Sequence, residues 1–205
     1  MAMAVPVRCA VRADDVAQLL YASAPGFYDR YAGDERRALG LLRGVWPRRG
    51  HVAGFDVCRL AESGGSVVGV LAGYPVEEDE LRAGRFLTLT VARMAPWRWP
   101  RVARHVRAAA RVAPAPPPGS WYVDALAVAG PSRRTGVARA LLADAGERAR
   151  ARGCRALALD TALGNAPARR LYEDCGFVAT GERRTDPRTA AALGAAGFVA
   201  YVLEL

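Results

Sequence analysis

Lysine is missing from this chain of 205 residues, and all 29 basic side chains are arginine. Without lysine there is no Gly-Lys pair, which excludes a Walker-type phosphate loop. So complete an absence, beside abundant alanine, reads as GC-rich coding bias rather than as selection for a partner. Long apolar runs are missing too. None reaches the roughly 18 residues that a membrane span needs, so no membrane partner is expected. The first residues, Met1 to Pro6, lack the basic and apolar regions of a secretory signal. Cysteine is scarce. Cys9, Cys58, Cys154 and Cys175 are scattered without metal-ligand spacing. They read as reduced packing residues of a cytoplasmic protein, and no metal is expected. Acids are absent from residues 81–123, which carry eight arginines and supply most of the net charge of +9. No recognised nucleic-acid motif accompanies that charge, so a solvated basic face is the simpler reading.

What is present is ordinary for a globular domain: 52% of residues are apolar and 24% charged. The length suits one domain, residues 1–205, and leaves little room for a second. Val5 to Val11 reads as a first strand. A helix capped by Asp14 or Asp15 runs to Ser23 and is broken by Ala24-Pro25-Gly26. Asp34 can start a second helix, which Pro47 to Gly50 ends. Val52 to Ala61 and Ser66 to Tyr74 read as strands joined by Glu62-Ser63-Gly64-Gly65. Val76 to Met94 and Trp99 to Val112 read as helices. In the second, Arg101, Arg104, His105, Arg107 and Arg111 fall on a polar face and Val102, Val106 and Ala109 on the other. APAPPP, residues 113–118, is an extended connector. Strand Trp121 to Val128 follows, then helix Val137 to Arg152, strand Arg155 to Asp160 and helix Pro167 to Cys175. A strand begins at Phe177, Thr185-Asp186-Pro187 caps a short helix ending at Gly194, and Phe198 to Leu205 alternates as a last strand. Strands alternating with helices imply an α/β architecture.

The chemistry gathers in one stretch. Ser132-Arg133-Arg134-Thr135-Gly136-Val137-Ala138-Arg139 follows a strand and opens a helix. Free N–H groups at a helix start bind phosphate, small residues let a ligand approach, and arginines add charge. The three spaced glycines of a dinucleotide fingerprint are missing. Downstream come Asn165-x-x-Ala168, Leu171-Tyr172-Glu173 and Gly176-Phe177. The whole order, from Leu126-Ala127-Val128 through Arg133-x-x-Gly136-x-Ala138 to Gly176-Phe177, resembles the GNAT superfamily of acyl-CoA-dependent N-acyltransferases.

That resemblance implies a mixed central sheet, splayed at the cofactor site and flanked by helices, with the helical segment 76–118 as an insertion before the central strand. It implies acetyl-CoA as co-substrate. The pantetheine arm would pair with strand backbone at Leu126, Ala127 and Val128. The pyrophosphate would sit on amides from Arg134 through Thr135, Gly136, Val137 and Ala138 to Arg139, with Arg133 beside them. The positions matching Asn165 and Ala168 border the pantetheine, and the hydroxyl matching Tyr172 lies near the thioester sulfur. In such a site Tyr172 would protonate the leaving thiolate, although a tyrosine on an amphipathic helix can also simply pack. A backbone N–H near Val128 would stabilise the oxyanion.

For the general base, Tyr122, Asp124 and Leu126 alternate onto one strand face. Asp124 is the best candidate, although an unperturbed Asp, with a pKa of about 3.9, is a poor base. Pairing of Asp124 with an arginine is the competing reading, and Asp160 reads as structural. Acceptor contacts are expected from Tyr28 and Tyr31 in the Pro25–Tyr31 loop, from Trp97 and from Tyr122. The sequence therefore points to an N-acetyltransferase acting on a small-molecule or peptide amine. A non-catalytic acyl-CoA-binding domain and a nucleic-acid module are the alternatives. For the insertion, a substrate lid, a homodimer surface and plain packing all stay open.

Overall fold

The computed structural model of the protein describes residues 3–6 and 13–205. Its elements in chain order are β1 (Met3–Pro6), α1 (Ala13–Ser23), α2 (Pro25–Ala32), α3 (Glu35–Val45), β2 (Cys58–Ser63) and β3 (Ser66–Pro75). Then come α4 (Asp79–Val91), α5 (Trp99–Val112), β4 (Ser120–Val128), α6 (Val137–Ala151) and β5 (Ala156–Ala162). The chain closes with α7 (Ala166–Asp174), β6 (Val178–Arg184), α8 (Pro187–Leu193) and β7 (Gly197–Glu204). Residues 7–11 of the expected first strand, and Cys9 with them, lie outside the described residues.

The seven strands form one mixed sheet in the order β1-β2-β3-β4-β5-β7-β6. Every neighbouring pair is antiparallel except β4 and β5, which run parallel. Helices cover both faces. Leu19, Leu20, Leu39, Leu42 and Trp46 pack with Leu60, Val70 and Tyr74 on one side. On the other, α6 presents Val137, Leu141, Leu142, Ala145 and Ala149 to Leu71, Trp121 and Leu157. Each large apolar side chain so buried contributes about 1.5–3 kcal/mol. A bidentate ion pair from Arg59 to Asp144, at 2.9 and 2.8 Å, ties α6 to β2.

Local sequence explains most boundaries. Asp34 caps α3 by accepting from the Arg37 amide, and Asp186 caps α8 by accepting from Arg188 and Thr189. The β2–β3 hairpin turns on Gly64 and Gly65, both left-handed at φ 57° and 73°. Three expectations need correction. Pro25 to Tyr31 is not a loop: it forms most of α2, because proline at a first helical position keeps a helix going rather than ending it. The stretch 52–57 is not strand. There the Asp56 carboxylate accepts from the Gly50 amide, and the His51 ring accepts from Ala53 while facing the Val45 carbonyl. These local bonds compete with a ladder. His105 does not belong to a solvated face. It is buried, edge-on to Phe27 with ring centroids 4.4 Å apart, and its Nδ1–H donates to the Ala192 carbonyl at 3.0 Å. The insertion is thereby fastened to α2 and α8.

Gly73 shows how tightly the centre is packed. A Cβ added there would stand 2.4 Å from Trp121 Nε1 and 3.1 Å from the Tyr122 carbonyl oxygen. Both belong to the next strand and have little room to move. Gly73→Ala is expected to destabilise the fold by about 1–3 kcal/mol, the usual range for overpacking. Urea denaturation checks this through a lowered midpoint at unchanged slope.

Candidate active site

Strands β4 and β5 begin side by side and then part. Their pairing covers Ser120 with Ala156, Trp121 with Leu157 and Tyr122 with Ala158, and stops there. Strand β4 continues to Val128 and β5 to Ala162. On its other side β4 stays paired with β3 as far as Val128 opposite Gly69. The backbone of β4 from Val123 onward therefore has one edge in the ladder and one edge facing a gap. An extended ligand can complete such an edge with main-chain hydrogen bonds.

At the end of the gap the chain turns into α6. Arg134 adopts φ 64° and Gly136 φ 89°, both left-handed, so the turn is sharp. No side chain caps α6, no acid lies in its first turn, and nothing stands within 4 Å of a Cβ built on Gly136. The first amides of a helix have no partners of their own. Those at Val137, Ala138 and Arg139 thus look onto open space beside exposed Arg133, Arg134 and Arg139. Thr135 closes the turn through its hydroxyl on the Ser132 carbonyl at 2.7 Å, and Arg133 Nε donates to the Val128 carbonyl at 3.1 Å. These residues suit a pyrophosphate: the charge has the right sign and the space is free.

The far wall is α7. Asn165 caps it: its Oδ1 accepts from the Ala168 amide at 3.4 Å and its Nδ2 donates to the Thr161 hydroxyl at 3.1 Å. The Asn165 side chain thus aligns the helix that carries Tyr172. The Tyr172 ring is buried against Phe177 and Tyr201 in the cluster that also touches Leu126, Val128, Val137 and Ala168. Among the described residues its hydroxyl has no hydrogen-bond partner. Burial, and then the negative charge of Asp160, raise its pKa, so the hydroxyl keeps its proton.

The floor is acidic. A bulge in the β3–β4 ladder pairs Ala72 with Ala125 and Gly73 with Val123, leaving Asp124 as the extra residue. The bulge overturns the expected alternation: Tyr122 and Ala125 pack on the α1–α3 side, while Val123 and Leu126 pack on the α6 side. Leu126 thus shares no face with Tyr122. Asp124 is open to solvent through the gap, yet protein crowds its carboxylate on the remaining sides. That loss of hydration, reinforced by the charges of Asp79 and Asp160, pushes its pKa up to about 7. No arginine pairs with it among the described residues. Its bond is to the Tyr74 hydroxyl, 3.2 Å away. Asp160, across the gap on β5, accepts from the Tyr122 hydroxyl at 2.6 Å, and burial raises its pKa as well. Tyr28 lies near enough to feel the charge of Asp124.

Other expected acceptor residues lie elsewhere. The Tyr31 hydroxyl bonds to Thr90, and its ring stacks on Phe27 in the α2–α4–α5 packing. Trp97 is 82% exposed and lines a groove of about 390 Å³ with Arg37, Leu41 and Met94, residues that take no part in the floor. Sequence reasoning missed Tyr74 and Asp79. Tyr74 hid in an unbroken apolar strand, and Asp79 among four successive acids, Glu77 to Glu80, that suit the positive end of a helix dipole.

The comparisons agree with this geometry. The family profile described as Acetyltransferase (GNAT) family matches residues 14–177. Comparison with curated proteins gives no match. Among solved structures, a protein described as an acetyltransferase aligns at 18% identity over 98% of both chains, with a TM-score of 0.71. An N-acetyltransferase from Staphylococcus aureus Mu50 aligns at 16% identity over 98% of this chain and 100% of that one, with a TM-score of 0.73. An acetyltransferase of Bacillus subtilis in complex with CoA aligns at 14% identity over 100% and 99%, with a TM-score of 0.56. These likenesses concern the fold. The profile match spans most of the chain, and with the splayed sheet and its uncapped helix start it leads to one conclusion: this chain belongs to the GNAT family of acetyltransferases.

Proposed function

We propose that the protein is an N-acetyltransferase that moves an acetyl group from acetyl-CoA to a primary amine by direct transfer, both substrates being bound together in a chain that works as one domain. The observation that carries this reading is the parting of β4 and β5 after Tyr122, with a carboxyl on the first strand and a phenol on the helix that follows the second. Asp124 stands on β4 with a pKa of about 7, Tyr172 stands on α7 with its proton retained, and the charge of Asp160 is felt by both.

The amides and arginines of Arg133, Arg134, Thr135, Gly136, Val137, Ala138 and Arg139 hold the pyrophosphate of the co-substrate. The open edge at Leu126, Ala127 and Val128 receives its extended arm, and Ala168 and the Asn165 turn border it. Bound there, acetyl-CoA supplies a thioester carbonyl. Tyr28, Tyr122 and the carboxylates of the floor attract a cationic amine into the gap. The ammonium first sheds one proton to solvent through the gap, and Asp124 then takes the next proton from the neutral nitrogen as the C–N bond forms, directly or through a water. A β4 amide near Val128 stabilises the charge on the carbonyl oxygen. Tyr172 delivers its proton to sulfur as the C–S bond breaks. Holding both reactants in one geometry supplies much of the remaining acceleration.

Binding is expected to stabilise the fold. Acetyl-CoA at a hundred times its dissociation constant contributes about 2.7 kcal/mol, a rise in Tm of about 5–10 °C for a chain of this size. Gly136→Glu puts bulk and negative charge into the open cradle, at a φ that disfavours side chains, and is expected to remove that shift. Thermal-shift titration of both proteins checks this, and no response of the wild type at millimolar acetyl-CoA would count against the assignment.

Asp124 acts as a base only when ionised. With its pKa at about 7, turnover is expected to rise with pH through neutrality and level off above it. Asp124→Asn is expected to lower the plateau about 10²–10⁴-fold and to remove that limb. A kcat profile from pH 5.5 to 9 reads both, and an unchanged profile would make Asp124 irrelevant to proton transfer.

Tyr172→Phe keeps the ring and removes the donor. Acetyl-CoA affinity is expected to change little and transfer to slow about 10²–10⁴-fold. A loss confined to transfer marks an interaction made in the transition state. Calorimetry and single-turnover kinetics separate this from a packing role, which would weaken folding or binding and leave transfer intact.

A further inference from the structure

Tyr74, buried on β3, directs its hydroxyl at two carboxylates. Asp79 Oδ1 is 2.9 Å from the hydroxyl oxygen, and Asp124 Oδ1 is 3.2 Å from it. A phenolic hydroxyl has one proton to give. Two ionised carboxylates compete for it, and the shorter contact is to Asp79. The contact to Asp124 gains full strength when that carboxyl carries a proton of its own and donates it to the tyrosine oxygen. The three groups thus form a chain that is complete when a second proton joins it on an aspartate.

The surroundings decide which aspartate. Asp79 is the first residue of α4, where the helix dipole favours negative charge. Neighbouring Glu78 is neutralised by Arg82 at 2.7 Å. Asp124 sits on a strand bulge, away from any helix start. The groups that bear on it are Tyr74 from β3, Asp79 from α4, Tyr122 of its own strand, Asp160 from β5, Tyr28 from α2 and Cys58 from β2. Arg82 lies over the Tyr74 ring at 5.5 Å and pairs with Asp56 and Glu78, and Arg148 bears on Cys58. Among the described residues no cation pairs with Asp124. Asp124 is the aspartate that takes the proton.

We infer that Asp79, acting through the Tyr74 hydroxyl, sets the proton affinity of Asp124, so that the insertion contributes a positioning residue to the candidate base. The coupling concerns Asp124 itself, while its effect on rate rests on the reading of Asp124 as the base. When Asp124 accepts the proton of the attacking amine, it turns that proton toward the Tyr74 oxygen, and Tyr74 turns its own toward Asp79. No proton leaves the chain, every oxygen in it is satisfied, and the protonated state of Asp124 is stabilised. The amine's proton remains on Asp124, and the sulfur receives a different one from Tyr172. Solvent exchange through the gap restores both groups.

The test uses the full chain with Asp79→Asn, Asp79→Glu, Tyr74→Phe and the Asp79→Asn/Tyr74→Phe double variant, each checked for an intact fold by circular dichroism. Carbon-13 NMR follows the titration of the Asp124 carboxyl, and kcat is measured against pH at saturating acetyl-CoA. Asp79→Asn is expected to lower the Asp124 midpoint by about one pH unit, the lower end of the effect of a close like charge. The acid limb of kcat should move down with it. Asp79→Glu should restore the wild-type midpoint. In the Tyr74→Phe background Asp79→Asn should have a much smaller effect, because coupled residues are not additive. An Asp124 midpoint unmoved by Asp79→Asn overturns the inference. A shift as large in the Tyr74→Phe background as in the wild type overturns the role of the hydroxyl. A midpoint that moves while the kcat limb stays in place upholds the coupling and removes Asp124 as the base. If Tyr74→Phe does not fold, the Asn and Glu variants of Asp79 still decide the effect of the charge.

Discussion

A strand that loses its neighbour must find other partners for its backbone or leave them to solvent. In this protein β4 loses β5 after Tyr122 and keeps β3 for the rest of its length. The open edge of β4 and the uncapped start of α6 lie at the two ends of one short turn, which is itself closed by Arg133 on the Val128 carbonyl and Thr135 on the Ser132 carbonyl. In the proposed function the edge and the helix start together receive an extended, phosphate-bearing molecule. The parting also separates Asp124 from Asp160, which a fully paired sheet would hold much closer. It leaves room between them for a reacting centre, with Tyr172 on the helix that follows β5.

Proton supply on the floor of the gap is short by one. Tyr74 and Tyr122 donate two hydroxyl protons toward three carboxylates: Asp79, Asp124 and Asp160. Three ionised acids in a partly dehydrated space repel one another, and the energy falls when one of them binds a proton or a cation. Asp160 has the short bond from Tyr122, and Asp79 has a helix start. Asp124 is left as the group whose state is open, and it is also the group that faces the gap. In the proposed function an ammonium ion entering there meets a site that favours cations, and a neutral amine meets a base that is half ionised near neutrality. The same electrostatic frustration would then serve binding and proton transfer.

Much of the fold is legible in residue types alone. The strand, the arginine-lined turn and the helix opened by Gly136 and Ala138, on which the proposed cofactor site rests, follow from local chemistry. The caps at Asp34 and Asp186 were likewise readable from residue type alone. The acceptor side was less legible, for identifiable reasons. Period-two alternation carried Tyr122, Asp124 and Leu126 onto one face, but a bulge depends on the partner strand, here on Gly73 beneath the Trp121 ring, and a single strand's sequence does not reveal it. Helical periodicity put His105 among arginines, whereas burial came from α2 and α8, far away in sequence. The pKa of Asp124 was unreadable for the same reason, since Asp79 and Asp160 reach it from other elements.

The segment 76–118 meets α2, α8 and β3 through one set of contacts. From α5, His105 sits against Phe27 and Tyr31 of α2 and bonds to α8. From α4, Thr90 bonds to Tyr31 while Asp79 bonds to Tyr74. The short helix α2 thus has Phe27 and Tyr31 anchored in the insertion and Tyr28 turned toward Asp124. A helix of eight residues has little stability of its own. Its position is held by the packing of α4 and α5. Helices α4 and α5 therefore do more than cover the sheet: through α2 and through Asp79 they bear on two groups that feel the charge of Asp124.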